Sequence, residues 1–119
     1  MKKIMVVDDE ENIRFLYKEE LMDEGYDVIL AASGEEAIDL LGESEPDLVT
    51  LDIKMPGMDG IETLRKIKEI NKKIPVVLCT AYGQYKQDFS SWASDAYVVK
   101  SADLGELKSI VKEILDKNN

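Results

Sequence analysis

Apolar positions along the chain fall into short, near-continuous runs separated by longer stretches of mixed character. Ile4-Met5-Val6-Val7, Val28-Ile29-Leu30-Ala31, Leu48-Val49-Thr50-Leu51, Pro75-Val76-Val77-Leu78-Cys79 and Ala96-Tyr97-Val98-Val99 read as buried strands. Helical periodicity fills most of the spaces between them. Glu11 to Glu24 carries Ile13, Leu16, Tyr17 and Leu21 at helical spacing and stops at Gly25. Ser33, with Glu36 three residues on, opens a second helix bearing Ala37, Ile38, Leu40 and Leu41. Asp59 is the cap of a third, which puts Ile61, Leu64, Ile67 and Lys68 on one face and ends near Asn71. Residues 81–95 are polar and weakly periodic and give the faintest helix. A last helix opens at Asp103 and buries Leu104, Leu107, Ile110, Val111, Ile114 and Leu115.

Strands alternating with helices predict a parallel sheet covered on both faces, and right-handed crossovers make it a doubly wound α/β sandwich. In such sheets ligands bind outside the carboxyl ends of the strands. The residues just beyond those ends are therefore the candidates for chemistry. Asp8 and Asp9 follow the first strand, Asp52 the third, Thr80 the fourth and Lys100 the fifth.

The 119 residues suit one domain, 1–119, without repeat or linker. A net charge of −10, from 15 basic and 25 acidic residues, opposes binding to nucleic acid or anionic membrane. The chain has no histidine, and Cys79 is its single cysteine. Disulfide frameworks, zinc sites and histidine-dependent triads are thereby excluded. The apolar run at Ile4–Val7 is too short for a secretory signal and meets Asp8-Asp9-Glu10-Glu11, and no run approaches a membrane span. A soluble, cytoplasmic, monomeric protein is expected, with chemistry run on carboxylates, hydroxyls and lysines.

Carboxylates brought to one edge repel, and one takes up a proton unless a cation intervenes. Oxygen ligands without His or Cys suit a hard ion, Mg²⁺ in particular. A carboxylate is also a nucleophile toward phosphorus, and phosphoryl transfer asks chiefly for positioning and neutralisation of charge. A lysine ammonium and a threonine hydroxyl at the same edge supply part of that neutralisation.

Val6-Val7-Asp8-Asp9-Glu10, Leu51-Asp52-Ile53-Lys54-Met55-Pro56-Gly57-Met58-Asp59-Gly60, Thr80-Ala81 and Tyr97-Val98-Val99-Lys100 together resemble the receiver domain of two-component response regulators, over essentially the whole chain. The resemblance implies a flavodoxin-like five-stranded parallel sheet of order 2-1-3-4-5. It implies that Asp52 accepts a phosphoryl group from a sensor histidine kinase. Asp9, Asp52 and the backbone carbonyl of Lys54 would ligate Mg²⁺, with Asp8 acting through a bound water. Lys100 would pair with the phosphoryl group, Thr80 would hydrogen-bond it, and Tyr97 would be the aromatic whose pose reports the switch. A stand-alone receiver would act on a downstream effector protein or relay the phosphoryl group to a histidine phosphotransfer protein. It would be a phosphoacceptor, catalysing only its own phosphorylation and a slow autodephosphorylation.

Each element alone has a plainer reading. Asp8-Asp9-Glu10-Glu11 suits an acidic helix start, Thr80 a strand-end hydroxyl, Lys100 a solvated lysine and Tyr97 a core aromatic. Their order at successive strand ends favours the receiver. A flavodoxin-type phosphate loop is opposed by the acidic run. A haloacid-dehalogenase-type phosphatase needs a second Asp where Lys54 stands, and an EF-hand fails at the same residue. A degenerate receiver acting as a phosphorylation-independent binding module is the remaining alternative. Two features depart from the family or tune it. Ser101 stands where a proline usually follows the lysine, and Lys54 and Tyr82 flank the path of water to Asp52, which predicts slow loss of the phosphoryl group.

Overall fold

The computed structural model describes residues 1–80, 95–100 and 104–117. Five strands, β1 (Lys3–Val7), β2 (Asp27–Ala31), β3 (Leu48–Asp52), β4 (Val76–Thr80) and β5 (Ala96–Val99), pair in parallel in the order β2-β1-β3-β4-β5. The expected doubly wound order is the observed one. The described helices are α1 (Glu11–Asp23), α2 (Gly34–Ser44), α3 (Gly60–Ile70) and α4 (Gly105–Lys117). The helix expected in 81–95, together with Tyr82, Ser101 and Asp103, lies outside the described residues, apart from Asp95 itself.

Alternation along the strands divides the core between the two faces of the sheet. Met5, Val7, Val49, Leu51, Val76 and Leu78 pack beneath α2 and α3, against Ala37, Leu41, Leu64 and Ile67. Ile4, Val6, Leu48, Val77, Cys79 and Val98 pack beneath α1 and α4, against Tyr17, Leu21, Leu107, Val111 and Leu115. Strands buried on both sides explain why these runs are apolar at every position rather than at alternate ones.

The helix starts follow local chemistry. Ser33 Oγ accepts from the Glu36 N–H at 3.1 Å and Asp59 Oδ1 from the Glu62 N–H at 2.9 Å, so both expected caps form. Glu36 also reaches back to accept from the Ala32 N–H at 2.7 Å, a variant of the capping box one residue upstream. After α1 the chain turns through Gly25 at φ +93°, a conformation that only glycine adopts without strain.

The structure shifts some of the expected boundaries. Asp52 and Thr80 are the last residues of β3 and β4 rather than the first residues beyond them. Each continues the ladder, Asp52 opposite Cys79 and Thr80 opposite Val99. In α1, Tyr17 and Leu21 are buried and Ile13 is half-buried, but Leu16 faces outward beside Phe15. The buried stripe runs through 13, 17 and 21 at four-residue steps, which turns position 16 away.

Candidate functional site

The carboxyl ends of β1, β3, β4 and β5 lie along one edge, aligned by the register Val7↔Leu51, Asp52↔Cys79 and Thr80↔Val99. Asp8, Asp9, Asp52 and Lys100 meet there. Each of the three aspartates offers one carboxylate oxygen, and these oxygens lie within 4.8 Å of one another. Asp8 and Asp52 are buried at 2% and 6% exposure, whereas Asp9 is open to solvent. The Lys100 ammonium bridges the two buried members, 2.6 Å from Asp8 Oδ2 and 3.1 Å from Asp52 Oδ1.

Asp8 is held from three directions. Its Oδ1 accepts from the Glu10 N–H at 2.9 Å, its Oδ2 from Lys100, and its backbone carbonyl from Arg14 Nη1 at 2.8 Å. Lys100 is set in place by its own backbone, whose N–H donates to the Thr80 carbonyl at 2.6 Å. Asp52 is supported from behind by the first residue of α3. The Gly60 N–H donates to the Ile53 carbonyl at 2.7 Å, and a Cβ on Gly60 would stand 2.1 Å from the Asp52 carbonyl oxygen.

Burial first, and then the neighbouring charge of Asp8, lifts the Asp52 carboxyl to about 6, against the opposing pull of Lys100. Burial alone would lower the Lys100 ammonium, but hydrogen bonding and charge from Asp8 and Asp52 hold it above its ordinary value. The firmly protonated Lys100 amine therefore bridges two of the three carboxylates. Beneath the cluster, burial pushes the Cys79 thiol up to about 12 and holds the Tyr17 phenol far above its usual range, so both stay neutral.

Thr80 and Tyr97 occupy the other side of the sheet. The alternation that sends Val76 and Leu78 beneath α2 and α3 sends Thr80 the same way, and Tyr97 packs half-buried against that same cluster. Lys54 is exposed in the β3–α3 loop. Arg14 and Gly60 were not among the expected site residues. The available signals were an arginine early in the helix after the acidic run and a glycine directly after the Asp59 cap.

The sequence profile described as response regulator receiver domain matches residues 4–112. The chain belongs to the response regulator receiver domain family. This receiver is 40% identical over 116 residues to sporulation initiation phosphotransferase F of Bacillus subtilis, covering 96% of this chain and 94% of that one. Among solved structures it is similar to the response regulator protein TrrA of Thermotoga maritima in complex with Mg²⁺-BeF, at 51% identity and a TM-score of 0.90, covering 95% of this chain and 98% of that one. A structure of TrrA with the histidine kinase ThkA matches this receiver with the same identity and TM-score, covering 97% and 99% of the two chains. Among the receiver's described residues, no helix is long and apolar enough to cross a membrane.

Proposed function

We propose that residues 1–119 act as one receiver unit in which Asp52 accepts a phosphoryl group from a phosphohistidine of a sensor histidine kinase, in a reaction dependent on Mg²⁺. The observation that carries this reading is the convergence of Asp8, Asp9 and Asp52 within 4.8 Å, with the Lys100 ammonium on two of them. The donor set suits the ion: every donor in it is an oxygen, and opposed ligands on an octahedral Mg²⁺ stand about 4.2 Å apart. Asp9 and Asp52, with the Lys54 carbonyl, would hold Mg²⁺ directly, and Asp8 through water. Bound there, Mg²⁺ would offset negative charge on the phosphoryl oxygens.

An oxygen of the Asp52 carboxylate attacks phosphorus as the P–N bond to the donor imidazole breaks, and the imidazole leaves with its bonding pair and takes up a proton. Lys100 pairs with a phosphoryl oxygen. The Thr80 hydroxyl donates to another, drawing the β4 end toward Asp52, and Tyr97 follows on the α2–α3 side of the sheet. The kinase partner is supported by the ThkA complex of TrrA. Onward relay to a histidine phosphotransfer protein is supported by the similarity to a protein named a phosphotransferase over nearly its full length. Contact with an effector protein is the other output.

Intact mass after incubation with a small phosphodonor tests the reading. One added phosphoryl group is expected, lost without Mg²⁺ and lost in Asp52→Asn, with slow decay after the donor is removed. A folded, Mg²⁺-binding protein that gains no mass would instead be a phosphorylation-independent binding module.

A further inference from the structure

The β3–α3 loop carries Lys54, and its ends are tied by the Gly60 N–H to Ile53 carbonyl bond of 2.7 Å. Within it Met55 is buried at 8% exposure, anchoring the loop to the α2–α3 core. Its tip, Pro56-Gly57-Met58, meets another element. Glu35, in the first turn of α2 and 23 residues away in sequence, accepts from the Met58 N–H through Oε2 at 3.2 Å. The turn is shaped around that carboxylate. Gly57 stands at φ +74°, and a Cβ there would lie 3.0 Å from Glu35 Oε2.

The neighbouring contacts give the bond leverage. Gly34 sits so close to α3 that a Cβ would stand 2.1 Å from Thr63 Oγ1 and 3.1 Å from the Met58 carbonyl oxygen. Gly60 in turn abuts the Asp52 carbonyl. The amino terminus of α2, the loop tip, the first turn of α3 and the backbone of Asp52 therefore form one packed layer. The two acids of the α2 first turn divide between two tasks. Glu36 folds back onto the Ala32 N–H, while Glu35 reaches outward to the loop.

We infer that Glu35 is a positioning residue for Mg²⁺ binding, a strut from α2 that holds the β3–α3 loop in the shape that presents the Lys54 carbonyl beside Asp9 and Asp52. This rests on the proposed Mg²⁺-dependent function. The strut works through reach and an acceptor oxygen, not through charge, which separates it from the ordinary role of an acid near a helix amino terminus.

Calorimetric Mg²⁺ titration of the wild type, Glu35→Ala, Glu35→Asp and Glu35→Gln, at about 0.15 M salt to screen distant charge, decides the matter. Asp keeps the charge and loses the reach; Gln keeps the reach and an oxygen and loses the charge. We expect Ala and Asp to weaken Mg²⁺ binding about fivefold and Gln to stay close to wild type. Phosphorylation at saturating Mg²⁺ stays unchanged in all of them, so the effect appears in the Mg²⁺ requirement and not in the maximal rate. Glu35 is exposed, and a thermal melt without Mg²⁺ verifies that each variant is folded. Should Ala fail to fold, the Asp and Gln pair still decides. Wild-type affinity in Asp with a loss in Gln overturns the strut, as do equal affinities throughout. Absence of Asp52-dependent Mg²⁺ binding in the wild type overturns the strut and the proposed function together, which distinguishes the two failures.

Discussion

Asp52 sits where burial and Asp8 make its charged form unfavourable, with its carboxyl lifted to about 6 from an ordinary 3.8. Its proton is held more tightly in the folded chain than in the unfolded one. This group's contribution to stability is therefore least favourable above pH 6 and improves as pH falls toward 4, by about 3 kcal/mol at most. Replacing Asp52 by Asn removes the charge and keeps the shape. We expect Asp52→Asn to be more stable than the wild type to urea at pH 7, by about 1–3 kcal/mol, and the difference to shrink as pH approaches 4. A constant difference from pH 7 to 4 would show that the gain arises from packing and not from the carboxylate's charge. If Mg²⁺ binds as proposed, it should narrow the gap at pH 7, because it binds more tightly to the wild type, with three carboxylates, than to the variant, with two.

At the scale of elements, the docking of α3 on the end of β3 deserves a direct trial. A Cβ on Gly60 would overlap the Asp52 carbonyl oxygen at 2.1 Å and the Ile53 Cα at 2.6 Å, all backbone atoms that cannot rotate aside. Gly60→Ala should cost about 1–3 kcal/mol in urea denaturation and slow phosphorylation of the protein that remains folded, because the clash displaces the backbone of the proposed phosphoacceptor, Asp52. The same elements show what a sequence discloses. The caps at Ser33 and Asp59 were legible because capping is local chemistry between residues three apart. Hydropathy ends β3 and β4 one residue short because it registers burial of apolar side chains, whereas Asp52 and Thr80 extend the ladder through backbone pairing. The Glu35–Met58 and Arg14–Asp8 contacts could not be read at all. They depend on how the β1–α1 and β3–α3 loops fold and on which elements come to lie beside them.

For the molecule as a whole, the sheet is a partition with the proposed chemistry on one side and the proposed readout on the other. Asp8, Asp52 and Lys100 continue the positions that face α1 and α4, whereas Thr80 and Tyr97 continue those that face α2 and α3. The strand ends name which residues converge, but strands apolar at every position do not mark which alternate set faces which helices, so the division between faces appears only in the fold. It leads to a prediction about information rather than yield. Thr80→Ala should take up the phosphoryl group on Asp52, while hydrogen exchange at β4 and β5 should no longer differ between the phosphorylated and unphosphorylated forms. Wild-type exchange changes in the variant would route the signal around Thr80. The bridge from Lys100 to Asp8 and Asp52 has another consequence, for the order in which the protein is born. Its anions come from residues 8 and 52 and its cation from residue 100, joined across a separation of 92 residues in the first case. During synthesis Asp8 and Asp52 emerge well before Lys100. A nascent chain halted before residue 100 thus carries those aspartates without the Lys100 ammonium that bridges them, so the edge where signalling is proposed to occur is completed only after residue 100 has been added.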